Sequence, residues 1–147
     1  MTPLRTLVLG WGNPGRRDDG IGPAVVEKIE QAGLAVDCLI DYQLQIEHAA
    51  DIAAYDRVVF VDASLAGRRP FGLTRLASAS TFTLPGSHAL VPEVVLAMSR
   101  EIYGAQPESW LLSVRGHSFD FAEGLTDVGR RRAMSAASRL ASMLAGG

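Results

Sequence analysis

Apolar positions along this chain follow two spacings. Leu7-Val8-Leu9 forms an uninterrupted apolar run that stops at Gly10, which predicts a first strand. Ile21, Val25, Val26 and Ile29 then recur at helical spacing, with Glu27, Lys28, Glu30 and Gln31 opposite, which predicts an amphipathic helix over residues 21–31. Pro23 is tolerated in the first turn of that helix, and Gly33 is placed to end it. Residues 35–40 predict a second strand, and residues 42–54 a loop and a short helix in IEHAADIAA. The run RVVFVD at residues 57–62 is β-branched and does not alternate, as in a central parallel strand buried on both faces. Residues 72–76 predict a short edge strand, residues 92–103 a second full helix stopped at Gly104, and residues 110–114 a further strand ending at Arg115-Gly116. Thr126 is a good N-cap for a last helix with Val128, Met134, Ala137, Leu140 and Leu144 on its inner face.

The order β-α-β-α-β-(β)-α-β-α predicts an α/β fold: a mostly parallel, twisted sheet of about five strands with helices on both faces. No repeat, linker or low-complexity tract divides the chain, so residues 1–147 are expected to form one domain. In a parallel sheet the carboxyl ends of the strands share one edge, where ligands gather. Asp19 after the first strand, Asp62 at the end of the third and the loop containing His88 are therefore expected to converge.

Composition narrows the function classes. With 48% hydrophobic residues the chain can bury a core, and a net charge of −2 gives no sign of a nucleic-acid or anionic-membrane partner. Cys38 is the single cysteine, which excludes an internal disulfide and a cysteine-rich zinc site; in its apolar run it reads as a small buried hydrophobe. No basic region precedes a long apolar one at the N-terminus, and no apolar run nears the roughly 20 residues that span a bilayer, so a cytoplasmic protein is expected.

Gly10-Trp11-Gly12-Asn13-Pro14-Gly15 fits the G-x-G-x-x-G pattern of dinucleotide-binding loops. Three features oppose that reading. The helix starts later than a pyrophosphate cradle requires, because Pro14, Arg16, Arg17 and two aspartates intervene. Asp18 and Asp19 put negative charge where the pyrophosphate would sit. The acid expected about 20 residues on is absent, since Asp41 lies well beyond that spacing.

One aspartate near a helix N-terminus is explained as a cap; two in a row, followed by Gly20 and Gly22, leave one free to bind something. Asp62 ends the most buried strand, where a carboxylate is more often functional than on a helix face. His88 follows Pro85-Gly86-Ser87 before a helix, while His48 in the short helix and His117 after a strand are alternative histidines. Two carboxylates and an imidazole would make an oxygen/nitrogen site for a divalent transition metal such as nickel or zinc, with positions left open.

GWGNPGRRDDGIG before an amphipathic helix, then VVFVDAS, then a Ser-His before a helix, and VRGHSFDFAEGLT near the end together resemble the hydrogenase maturation endopeptidases. The resemblance runs through nearly the whole chain, and G-x-G-N-x-x-x-x-D-D-G-x-G is its most specific element. It implies an α/β sheet flanked by helices and an endopeptidase that removes the C-terminal peptide of a nickel–iron hydrogenase large-subunit precursor once nickel is installed. The positions matching the family's metal-contacting acid, aspartate and histidine are Asp19, Asp62 and His88, which leaves Asp18 as a cap or supporting residue. Nickel is then supplied by the precursor rather than held permanently, and a monomer suffices for a transient complex. The segment Asp41-Tyr42-Gln43-Leu44-Gln45-Ile46-Glu47 departs from the glycine-containing turn usual in the family. It resembles the branch serving soluble, cofactor-linked hydrogenases and is expected to touch the partner.

Ser64 and Ser87 lack the base and orienting partner of a nucleophile triad, and H-E-x-x-H is absent. Arg16 and Arg17 are expected either to meet acidic groups of a partner or to be solvated. Arg130, Arg131 and Arg132 sit early in the last helix, where the dipole disfavours cations, which hints at an outside partner. Two other readings of the chain are a nickel or assembly chaperone without enzymatic activity and a nucleotide-binding α/β module.

Overall fold

The non-alternating run at residues 57–62 lies at the centre of the sheet, because a strand covered by helices on both faces needs apolar side chains on both. In the computed structural model, which describes residues 3–80 and 90–146, β1 (Thr6–Trp11) and β2 (Asp37–Asp41) precede this strand, β3 (Arg57–Ser64). They are followed by β4 (Phe71–Leu76) and β5 (Glu108–Arg115). The sheet order is β2-β1-β3-β5-β4. All pairs are parallel except the edge strand β4, which runs antiparallel to β5. The α/β class, the strand count and the edge position of residues 72–76 are as the sequence predicts.

Among the described residues four helices cover the sheet: α1 (Ile21–Gln31), α2 (His48–Ala53), α3 (Pro92–Tyr103) and α4 (Asp127–Ala145). Successive strand residues point to opposite faces, so one apolar run feeds two cores. Val8, Val59, Val61, Leu112 and Val114 pack with α1 and α4. Leu7, Leu9, Trp11, Val58 and Phe60 pack with α2 and α3.

Two local readings are corrected. β2 begins at Asp37 rather than residue 35, because Val36 closes a turn onto the Leu34 carbonyl and pairing with β1 starts at Leu7 opposite Asp37. The buried stripe of α4 is Ala133, Ala136, Ala137, Leu140 and Leu144, while Val128 and Met134 are only half-buried. Alanines hold the stripe because α4 lies against both α1 and the sheet, and short side chains permit that approach. Cys38 is likewise only partly buried, at the margin of the α1/α4 core, where burial pushes its thiol pKa up with help from Glu30 and Asp37.

Candidate functional site

The loop after β1 is held against the start of α1 by close backbone approach. A Cβ on Gly10 would stand 2.7 Å from the Gly22 carbonyl oxygen and also meet Val26. Gly12 has φ +152°, and a Cβ there would overlap the Asp19 carbonyl oxygen. The glycines therefore serve chain crossing, and a 3₁₀ turn, Arg17–Gly20, carrying two aspartates stands between them and α1. Gly12→Ala is expected to cost roughly 2–4 kcal/mol through strain at a special backbone position. It should also displace Asp19; chemical denaturation and a cleavage assay on the same sample would measure both effects.

Asp18 and Asp19 point to different tasks. Asp18 is fully buried, and it does not cap α1, whose N-terminus takes no side-chain cap. Its carboxylate accepts from the backbone N–H of His117 (2.7 Å), Ser118 (3.2 Å) and Thr126 (2.8 Å) and from the Thr126 hydroxyl (2.7 Å). Thr126 Oγ1 in turn accepts from Gly129 N at 2.9 Å, which makes Thr126 the N-cap of α4. The expectation that one aspartate caps the helix it precedes is therefore not met: the cap is Thr126 on α4, and Asp18 accepts from the Thr126 N–H and hydroxyl beside the positive dipole end of that helix. Burial raises the Asp18 pKa, and the hydrogen bonds from Thr126, His117 and Ser118 outweigh it and bring the group below its ordinary value.

Asp19 is half-buried and faces a cleft of about 710 Å³ at the carboxyl edge of the sheet. One of its oxygens accepts from Asn13 N at 2.7 Å, which leaves lone pairs directed elsewhere. Asp62, near the end of β3, lines the same cleft. Its pKa is pushed up to about 7, first by burial and then by the Asp19 charge, against a lowering hydrogen bond from the Ala63 backbone. An acid pair that repels itself at the mouth of an α/β sheet is suited to a cation or to a shared proton.

His88 lies outside the described residues. The chain is described again from Leu90, which lines the cleft beside Asp62. Neither alternative histidine faces the cleft. His48 is 3% exposed, with Nε2 3.3 Å from an Asp41 carboxylate oxygen and Nδ1 accepting from Gln45 N at 2.8 Å. His117 is exposed and contributes its backbone N–H to Asp18. Among the described residues, no group of three His, Cys, Asp or Glu side chains is arranged to hold a metal ion.

Of the other walls, Tyr42, Gln43 and Leu44 belong to the segment expected to touch the partner and Arg16 is a candidate partner contact, whereas nothing in the sequence marks Trp11, Leu65 or Phe119 as cleft residues. Trp11, Tyr42, Leu44, Arg16, Leu65 and Phe119 all line the cleft. Arg16 donates to the Phe119 carbonyl at 3.3 Å and lies over the Phe121 ring, and Arg17 donates to the Glu123 carbonyl at 3.2 Å, so neither is simply a solvated side chain. Arg132 donates to the Arg115 carbonyl, whereas Arg130 and Arg131 are exposed. The signal for Phe119 was VRGHSFDFAEGLT, legible as a family stretch and not as a set of contacts.

No protein-family profile and no curated protein matches the chain. Solved structures do. HycI, a nickel–iron hydrogenase maturation protease from Thermococcus kodakarensis, superposes with a TM-score of 0.73 at 27% identity over 95% of this chain and 92% of that one. HybD, a hydrogenase maturating endopeptidase from E. coli, gives 0.75 at 25% identity over 97% and 93%. An endopeptidase from Escherichia coli gives 0.71 at 26% identity over 92% and 89%.

Proposed function

Since this chain belongs to the hydrogenase maturation endopeptidases, which are peptide hydrolases, we infer that it removes the C-terminal extension of a nickel–iron hydrogenase large-subunit precursor after nickel has been inserted. The observation carrying this reading is the convergence of Asp19 and Asp62 in one cleft, without a cation among the groups acting on Asp62. Oxygen ligands at a strand-end cleft suit an incoming divalent metal, and repulsion between the two acids is relieved when that metal arrives. His88 is assigned as the third contact by its match to the family motif.

In this reading nickel is part of the substrate. Asp19, Asp62 and His88 engage it, the metal anchors the scissile bond, and the bond's carbonyl or an attacking water is polarised there. Cleavage then acts as a checkpoint on metal insertion. The protein works as a cytoplasmic monomer in transient contact with its precursor. No helix among the described residues is long and apolar enough to cross a membrane.

The test is incubation of the purified protein with nickel-loaded and nickel-free precursor, read by mass spectrometry. Loss of a C-terminal peptide from the loaded precursor alone is expected. Equal cleavage of both would remove the nickel requirement. Transfer of metal with no loss of mass would favour the chaperone reading, and stabilisation by nucleotide would favour the binding-module reading.

A further inference from the structure

The segment between β2 and α2 runs into a buried histidine, His48 at the start of α2, that the cleavage chemistry does not use. Tyr42, Gln43 and Leu44 line the cleft, and Tyr42 is 70% exposed, so a substrate meets it directly. What fixes this segment is a closed set of polar contacts at its two ends. At the start, the Asp41 carbonyl accepts from Gly12 N at 3.1 Å and the Asp41 carboxylate accepts from Tyr42 N at 2.7 Å. At the end, His48 Nδ1 accepts from Gln45 N at 2.8 Å while Nε2 lies 3.3 Å from the second Asp41 oxygen. An imidazole that accepts at Nδ1 carries its proton on Nε2, so an N–H faces the Asp41 carboxylate across 3.3 Å and brings the two ends of the segment together. Leu44, 5% exposed, anchors the middle of the segment in the core beside Trp11.

We propose that His48 is a positioning residue for substrate recognition: by bridging Asp41 and Gln45 N it holds Tyr42 and Gln43 as a wall of the cleft, and through that wall it sets affinity for the precursor. This rests on the cleavage reading given above. The site needs such a device because the segment contains no proline to fix its backbone between residues 41 and 48.

Four chains test it on nickel-loaded precursor: wild type, His48→Ala, Tyr42→Ala and the double variant. His48→Ala is expected to raise KM about tenfold with kcat within about twofold, the pattern of lost binding rather than lost chemistry. Tyr42→Ala, at an exposed position, should raise KM without lowering Tm. The double variant should be little worse than His48→Ala, because residues acting through one another are not additive. His48→Asn, whose side-chain oxygen can replace Nδ1 as acceptor for Gln45 N, should recover part of the loss. Amide exchange over residues 42–47 should quicken in His48→Ala and return towards wild type in His48→Asn. Unchanged KM in His48→Ala, or strictly additive effects in the double variant, would overturn the proposal; so would unaltered exchange. If wild type leaves the loaded precursor intact, the functional reading fails, while the exchange measurement still decides whether His48 holds the segment.

Discussion

Asp62→Asn is expected to abolish processing of the precursor and, at the same time, to make the free chain more stable at neutral pH. The two effects have one cause. Asp62 is raised from an ordinary carboxylate value to about 7 by burial and by Asp19. Between about pH 4 and pH 7 the folded chain therefore keeps a proton that the unfolded chain has released. Stability changes with pH in proportion to protons bound unfolded minus protons bound folded, a negative difference here, so this group destabilises the fold as pH rises through that window. Asparagine has no charge to bury. The gap between variant and wild type should be near zero below pH 4, open as pH rises, and level off above pH 7. A shift of this size sets a ceiling of about 4 kcal/mol, and an open cleft that admits water reduces the expected gain to ~1–2 kcal/mol. Urea titrations of both chains at pH 4, 6 and 8, beside a precursor cleavage assay, measure both effects. A variant that cleaves normally would show that Asp62 is not a contact of the reaction, and one no more stable at pH 8 would show that its charge is relieved in the folded chain.

Asp18→Ala should do the reverse, costing stability first and activity as a consequence. The substitution leaves the N–H groups of His117, Ser118 and Thr126 without their acceptor and removes the partner of the Thr126 hydroxyl, all around a group with no exposure to solvent. Each unpaired buried donor costs about 1–3 kcal/mol, and a network lost together is expected to cost roughly 3–5 kcal/mol. The α4 N-terminus also loses the carboxylate that complements its dipole. Equilibrium unfolding should show a lower midpoint with an unchanged slope, which marks a change of stability and not of the unfolded state. A loss under 1 kcal/mol would mean that water substitutes for the carboxylate and that the contact between the 3₁₀ turn and the α4 N-terminus is not the joint described here.

The parts of this protein legible in its sequence are those that local spacing encodes. Helical periodicity located α1 to its end residues, and the absence of alternation in RVVFVD put β3 at the centre, because a strand covered on both faces has no polar side to display. The α/β order followed, and with it the shared edge that carries Asp19 and Asp62. The same topology offered His88 with His48 and His117 as alternatives, and family resemblance chose His88, which lies outside the described residues.

Tertiary structure alone decided which distant segments meet. Nothing in the spacing of Asp18 and Asp19 says that the first will reach Thr126, 108 positions along the chain, while its neighbour turns into the cleft. Nothing local to His48 removes it from the metal-facing candidates; its two contacts with Asp41 and Gln45 do. Periodicity records which side of an element is buried and is silent on what it is buried against. The loop that opens with Gly10 therefore reads from sequence as a glycine turn followed by acid. Only the packing of residues 116–129 against it makes one aspartate a joint and leaves the other facing the cleft.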